Sequence, residues 1–194
     1  MKKFFLILLF LNFNFIHVFS VEPDVFVQST VNRASEILAK NISQEEKISK
    51  LKVIAKETVD IQGVGFYSLG SARKNLSKEE KIQYLQLFED YFLKSFSSRL
   101  SEYTNPQIDV LSKKVLSENY TIVNSVLKGT SERPEVKIDW RIYTKNQDNP
   151  LIRDLIIEGL SLARTQKEEF ASILNSNDNN IESLFKILKE FSSK

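Results

Sequence analysis

The sequence contains no cysteine, and its single histidine, His17, lies within the first twenty residues. Thiol nucleophiles, Ser-His-Asp triads and zinc or haem sites built on histidine or cysteine are therefore excluded from the rest of the chain. Only carboxylate, hydroxyl, lysine and tyrosine chemistry remains, so we expect neither an enzyme nor a metal site. Without disulfides, the fold must be stabilised by its hydrophobic core.

Long hydrophobic runs are also scarce, and the one clear example lies at the amino terminus. Two lysines precede the apolar run Phe4–Leu11, and Ser20 provides a small residue at a plausible cleavage site. The run is short and is followed by scattered polar residues, which favours a cleaved secretory signal peptide over an uncleaved membrane anchor. We assign residues 1–20 to the signal peptide and residues 21–194 to one domain, expected in a bacterial periplasm without stable membrane insertion.

An excess of charge of either sign is missing as well. The full chain has 27 lysines and arginines against 25 aspartates and glutamates, and removal of Lys2 and Lys3 with the signal peptide leaves 25 of each. A chain with balanced charge and no basic cluster gives no electrostatic reason to expect nucleic acid as a partner.

Apolar residues recur at helical spacing in five segments. Ser43 with Glu46 forms a capping box at the start of the second segment, and Ser77 with Glu80 forms another at the start of a long third one. We predict helices over residues 24–40, 43–60, 77–103, 161–176 and 181–191.

Three of the five glycines, Gly63, Gly65 and Gly70, fall between the second and third of these helices. Their spacing matches neither the G-x-G-x-x-G pattern of dinucleotide sites nor the P-loop. A short kinked helix, in which small residues allow close approach of the backbone, is therefore favoured over a nucleotide-binding loop.

Period-two alternation indicates a sheet in the second half of the chain. Residues 136–143 alternate apolar and polar side chains, and after a cluster of turn formers Leu151–Ile157 is nearly all apolar. Two earlier segments, 108–115 and 120–127, also alternate. We therefore predict an α+β fold in which a four-stranded, twisted antiparallel sheet packs against several helices.

The long third helix carries a wide and unusually aromatic apolar stripe that includes Phe88, Phe92 and Phe96. Two interpretations remain open from periodicity alone. The stripe either packs on the sheet in the ordinary way, or several of its side chains line a cavity large enough for a lipid.

Charged residues of the sheet region give two further hypotheses. Asp154 and Glu158 share one face of the predicted fourth strand, and a carboxylate pair can act as acid and base in glycoside hydrolysis, although no other site residue accompanies them. Three arginines and a tyrosine, which are Arg141, Arg153, Arg164 and Tyr143, either contact an anionic head group, since guanidinium matches phosphate geometry, or form surface ion pairs.

A set of short motifs near the carboxyl terminus resembles the MlaC family, a periplasmic component of toluene tolerance. The motifs are V-x-I-D-W-R at residues 136–141, D-x-x-I-E-G-x-S-L at residues 154–162 and F-A-S-I-L at residues 170–174. The long helix approximates the family pattern F-x-x-Y-x-x-x-F-x-x-x-L. The resemblance extends over nearly the whole of the chain that follows the signal peptide.

The resemblance implies a soluble carrier that uses no cofactor and binds phospholipid as its cargo. Members of the family hold acyl chains in a deep apolar cavity between the sheet and the helices. They pass lipid between an outer-membrane lipoprotein complex and an inner-membrane ABC transporter complex, and we expect a monomer. The alternative is a non-catalytic interaction or scaffold domain with a filled core.

The resemblance also directs the choice of site residues. Candidates for the wall of the apolar pocket are Phe66, Leu85, Phe88, Phe92, Phe96, Ile122, Val126, Trp140, Ile142, Leu155 and Ile157, and candidates for a head-group rim are Arg141, Arg153, Arg164 and Tyr143.

Overall fold

A computed structural model describes residues 20–131 and 133–193 of the chain. The predicted signal peptide therefore lies outside the described residues except for Ser20, and its cleavage stays a prediction. The elements in chain order are α1 (Pro23–Ala39), α2 (Gln44–Thr58), α3 (Ile61–Leu69), α4 (Lys78–Ser101), β1 (Ile108–Ser117), β2 (Tyr120–Leu127), β3 (Val136–Tyr143), β4 (Leu151–Ile157), β5 (Leu160–Ser161), α5 (Leu162–Asn175) and α6 (Ile181–Ser193).

Polar side chains cap the first turns of α2, α3, α4 and α5. The Ser77 hydroxyl accepts from the Glu80 amide at 3.1 Å, and the Glu80 carboxylate accepts from the Ser77 amide at 2.7 Å, which completes the predicted capping box of α4. The Ser43 hydroxyl caps α2 by accepting from the Glu46 amide. All five predicted helices are confirmed, with ends that move by one or two residues. None of the helices in residues 20–131 and 133–193 is long and apolar enough to cross a membrane.

The glycine-rich segment is helical, as predicted. Asp60 caps α3 through a 2.9 Å hydrogen bond from the Gly63 amide, and α3 ends at Gly70, whose φ of 58° suits a residue without a side chain. A Cβ placed on Gly65 would lie 2.8 Å from the Phe88 ring. Gly65 therefore allows α3 to pack directly against the aromatic stripe of α4.

The sheet is an antiparallel meander in the order β1-β2-β3-β4-β5. The prediction of four strands is corrected to five, because the chain turns back once more after β4. Glu158 and Gly159 have φ values of 49° and 82°, the pair of positive angles that a tight two-residue hairpin turn requires. This turn brings the short strand β5 against the end of β4 and directs the chain into α5.

The inner face of the sheet is covered by the helices and forms one hydrophobic core with them. Val123 and Ile142 are fully buried there, and the central Trp140 is 7% exposed. The register of β4 shifts by one residue at Arg141 and Ile142 of β3, so Ile152 and Leu155 both point inward although they are three residues apart. This bulge places two charged residues of β4, Arg153 and Asp154, at the edge of the apolar interior.

Candidate functional site

The core is not completely filled, and an apolar cavity lies between α4, α5 and the inner face of β3 and β4. This cavity, which we call the first cavity, has a volume of about 180 Å³. A single buried water needs only roughly 10–15 Å³, so the space is far larger than a packing defect. Its walls include Phe88 and Phe92 of α4, Leu155 of β4 and Leu162 of α5.

The second cavity lies on the other side of Trp140, between α1, α2, the end of α4 and the sheet, and has a volume of about 140 Å³. Its lining is almost entirely apolar. The two buried threonines that border it, Thr30 and Thr58, donate their hydroxyls to the carbonyls of Phe26 and Ile54 within their own helices. Within residues 20–131 and 133–193, no buried side-chain nitrogen or oxygen lacks a hydrogen-bond partner, so the second cavity suits a hydrocarbon.

The two cavities share a wall. Phe96, Trp140 and Leu155 border both of them, so one side-chain layer separates the two spaces. The Trp140 indole is held in this layer by a 2.8 Å hydrogen bond to the Ser125 hydroxyl, which donates in turn to the Ile138 carbonyl at 2.9 Å. These hydrogen bonds fix the position of Trp140 in the shared wall. Phe96, which also belongs to this wall, is half-buried.

The structure brings six of the predicted wall residues to the cavities. These six are Phe88, Phe92, Phe96, Trp140, Leu155 and Ile157. Three others pack in or against the core without lining either cavity: Ile142 is fully buried, and Phe66 and Leu85 are half-buried beside it. Contact of any of these residues with a ligand stays a prediction.

The placement of Ile122 and Val126 is a correction. They pair across the sheet with Arg141 and Lys137, whereas Val123 between them pairs with Trp140. Because successive side chains of a strand point to opposite faces, Ile122 and Val126 lie on the face turned away from the cavities. The small residues of β2 face inward instead.

The predicted head-group rim does not assemble at the mouth of either cavity. Arg153 borders the first cavity, but its guanidinium is committed to the Asp60 carboxylate at 2.6 and 2.7 Å and to the Tyr120 hydroxyl at 2.6 Å, and it lies 3.8 Å from the centre of the Tyr143 ring. Arg141 borders a separate polar pocket on the other side of β4.

Arg164, the remaining candidate for the head-group rim, also lies away from the cavities. Arg164 is exposed in the first turn of α5 and borders none of the three pockets described here.

The candidate carboxylates have structural partners. Asp154 is 6% exposed and accepts hydrogen bonds from the Ser161 hydroxyl at 2.6 Å and the Ala163 amide at 3.0 Å. Glu158, which lies in the hairpin turn, accepts a hydrogen bond from the backbone amide of Lys137 in β3. The buried carboxylate therefore anchors the start of α5, and the two residues do not form a facing acid and base pair in a shared cleft.

Sequence reasoning missed the polar residues that do border the first cavity. Along α4, Tyr91, Ser95 and Arg99 follow one another at four-residue intervals beside the phenylalanine stripe, and Gln166 and Glu169 face them from α5. The spacing of Tyr91, Ser95 and Arg99 could have revealed this polar edge, because residues four apart share a helix face. The partner residues on α5 follow only from the tertiary packing.

Tyr91 marks the place where the apolar interior meets these polar groups. Its hydroxyl donates to the Gln166 side-chain oxygen at 2.9 Å and so joins α4 to α5. Burial raises the pKa of the Tyr91 phenol, and the nearby Glu169 carboxylate raises it further, while the Gln166 hydrogen bond and Arg99 lower it. Arg99 and Glu169 therefore both act on the same corner of the cavity.

The chain is similar in sequence and in fold to known proteins. The "Intermembrane phospholipid transport system binding protein MlaC" of Haemophilus influenzae is 24% identical over 187 residues, which cover 90% of this chain and 87% of that protein. A phospholipid-binding protein from Ralstonia solanacearum, solved in complex with a phospholipid, has 15% identity and a TM-score of 0.75 over 89% of this chain and 98% of that one, so the two share a fold. The model of the MlaC protein family matches residues 28–190, and the chain therefore belongs to the MlaC family.

Proposed function

We propose that this protein binds a phospholipid with its acyl chains in the two apolar cavities and carries it between membranes. The observation that supports this proposal is the unfilled apolar space on both sides of Trp140. Each methylene transferred from water into such space contributes about 0.8 kcal/mol, so hydrocarbon burial alone can hold a lipid without a covalent bond or a metal.

The division of the interior into two spaces suits a ligand with two tails. One acyl chain would occupy the first cavity beside Phe88 and Phe92, and the other would enter the second cavity past Phe96. Phe96 is half-buried and borders both spaces, so its ring is the natural boundary between the two chains. The polar head would remain at the α4–α5 edge, where Arg99 and Glu169 are exposed.

The second part of the proposal concerns the transport of the bound lipid between membranes. The names of the related proteins refer to phospholipid binding and intermembrane phospholipid transport. We infer a periplasmic shuttle that exchanges lipid with an outer-membrane lipoprotein complex and an inner-membrane ABC transporter complex. No catalysis belongs to this function, and the engagement of Asp154 by Ser161 and Ala163 gives that carboxylate a structural role instead.

A scaffold domain with a filled core is the competing function. The volumes of the two cavities favour the carrier, because an ordinary core leaves few voids larger than a water molecule.

Organic extraction of the purified protein, followed by mass spectrometry, tests the choice between the two functions. We expect roughly one phospholipid per chain in the extract, and re-uptake of lipid from vesicles after delipidation. A protein that neither co-purifies with phospholipid nor takes it up from vesicles would be a scaffold.

A further inference from the structure

The charged residues at the edge of the first cavity fall into two groups. Four charged side chains border this cavity, and they are Arg99, Arg153, Asp154 and Glu169. Arg153 and Asp154 have internal partners: Arg153 binds Asp60 and Tyr120, and Asp154 binds Ser161 and Ala163. Within residues 20–131 and 133–193, Arg99 and Glu169 form no ion pair with each other or with another side chain.

A hydroxyl accompanies the free guanidinium. Ser95 lies one helical turn before Arg99 on α4, borders the same cavity and is half-buried. Its hydroxyl has no hydrogen-bond partner among the residues that the structure describes, in contrast to Ser97, which bonds the Leu93 carbonyl at 2.5 Å. Ser95 and Arg99 thus present donors side by side, the arrangement that a phosphate group accepts.

The carboxylate stands across the same opening. Glu169 is exposed on α5 and accepts one hydrogen bond, from the Gln166 amide at 3.0 Å. Its two carboxylate oxygens can accept further hydrogen bonds at the cavity edge, for example from an ammonium group. The opening therefore offers a cation-binding group and an anion-binding group on opposite sides of an apolar entrance.

We propose that this opening, formed by Ser95, Arg99 and Glu169, selects phospholipids with a zwitterionic head group that ends in a primary ammonium. Arg99 and Ser95 bind the phosphate, and Glu169 binds the ammonium. The inference rests on the proposed function, because the head group is brought to the opening by acyl chains in the cavities. Phosphatidylethanolamine has this chemistry, whereas phosphatidylglycerol has the same phosphate without the ammonium and with a net negative charge.

Competition between these two lipids tests the proposal. Delipidated protein is incubated with vesicles of equal amounts of phosphatidylethanolamine and phosphatidylglycerol with identical acyl chains, and the bound lipids are quantified by mass spectrometry. We expect wild-type protein to enrich phosphatidylethanolamine about two- to fivefold, the range that a solvent-exposed ion pair supports. Glu169→Gln should lose this enrichment, and Glu169→Lys should reverse it in favour of phosphatidylglycerol.

Neighbouring residues provide matched controls. Glu168 and Arg164 are exposed on the same helix as Glu169 but do not border the cavity, so Glu168→Gln and Arg164→Gln should retain the wild-type ratio and amount of lipid. Arg99→Gln should reduce the bound amount of both lipids and preserve the preference for phosphatidylethanolamine. Circular dichroism should report the same fold for all variants, because the altered side chains are exposed.

The outcomes separate the two proposals. Uptake of both lipids in the vesicle ratio by wild-type protein, or a Glu169→Gln ratio equal to that of wild type, would overturn head-group selection while leaving the carrier function intact. Absence of any phospholipid uptake would overturn both.

Discussion

At the scale of single residues, Trp140 shows how a polar atom is accommodated beside an apolar cavity. The indole N–H donates to the Ser125 hydroxyl, and that hydroxyl donates to the Ile138 carbonyl, so both polar side chains are satisfied although Ser125 is 2% exposed. A buried donor without a partner would cost free energy and would leave the ring free to tilt. Ser125 therefore fixes the wall between the two cavities.

Replacement of Ser125 by alanine tests this role. We expect Ser125→Ala to lower the free energy of unfolding by about 1–3 kcal/mol, because the indole N–H of Trp140 loses its acceptor inside the core. Urea denaturation followed by tryptophan fluorescence measures the change, and Trp140 is the single tryptophan of the chain. Ser112→Ala, which alters an exposed serine of β1, should stay within about 0.5 kcal/mol of wild type. Equal stability of the two variants would contradict the role assigned to Ser125.

At the scale of elements, the joint between β4 and α5 explains why one motif of the sequence has its particular order. In D-x-x-I-E-G-x-S-L, the aspartate is Asp154, the E-G pair makes the hairpin turn, and the serine is Ser161. The Ser161 hydroxyl donates to Asp154 and accepts from the Arg164 amide, while Asp154 accepts from the Ala163 amide. This chain of hydrogen bonds fixes where α5 begins and therefore how far it stands from α4.

Removal of the Asp154 carboxylate should loosen this joint. We expect Asp154→Ala to lower the free energy of unfolding by about 1–3 kcal/mol, because the Ala163 amide and the Ser161 hydroxyl lose a buried acceptor. Thermal and urea denaturation measure the effect. Asp109→Ala is the control: Asp109 is an exposed strand aspartate paired with Lys128, and loss of such a pair costs about 0–1 kcal/mol. A change no larger than that of the control would exclude the anchoring role.

At the scale of the whole molecule, the fold surrounds space instead of filling it. The aromatic stripe of α4 lies over the sheet, and its rings stack on one another: Phe88 and Phe92 have centroids 6.1 Å apart, and Phe92 and Phe96 are 5.5 Å apart. These contacts support the helix along its length, so the rings stabilise α4 without having to fill the gap beneath it. The same aromatic residues therefore stabilise α4 and leave the cavity beneath it open.

Blocking the second cavity should weaken the binding of lipids with two acyl chains and leave the binding of lipids with one acyl chain unchanged. Ala34 of α1 borders the second cavity, and Ala34→Phe places a ring in that space. Each displaced methylene is worth about 0.8 kcal/mol, so exclusion of two methylenes lowers the affinity for diacyl phospholipid by roughly tenfold or more. Binding of a lysophospholipid, which has one acyl chain, should be unchanged because the first cavity is untouched.

Lipid titration with mass spectrometry of the bound fraction measures both affinities. Ala39→Phe adds the same ring at an exposed position near the end of α1 and should leave both affinities as in wild type. If Ala34→Phe retains diacyl phospholipid as well as Ala39→Phe does, the second cavity does not hold an acyl chain.

Local signals in the sequence were sufficient to predict the helices and the strands β1 to β4. Capping residues such as Ser77 and Glu80 act on amides a few residues away, and alternation along 136–143 reflects burial of every second side chain, so both can be read from neighbouring letters. The fifth strand was missed because it has two residues and depends on the positive φ angles of Glu158 and Gly159. The six helices and the antiparallel order of the main strands, by contrast, agree with the predicted fold.

The residues of the candidate site could be identified only from the tertiary structure. Alternation in β2 separates Ile122 and Val126 from Val123, but it does not specify which set faces the helices, and the apolar pair lies on the far face. Likewise, Arg141, which follows Trp140 in the sequence, does not border the first cavity, whereas Arg99 of α4 and Arg153 of β4 do. Arg153 is engaged there by Asp60, 93 positions away.

By itself, then, the sequence determined the classes of chemistry that this chain excludes, its helices and main strands, and through its motifs its family. The tertiary structure alone decided where empty space remains and which charged side chains beside it form no ion pair within the described residues. The physical reason is range: caps and alternation act over a few residues, whereas a cavity and its rim are made by side chains from α4, α5 and the sheet that only packing brings together.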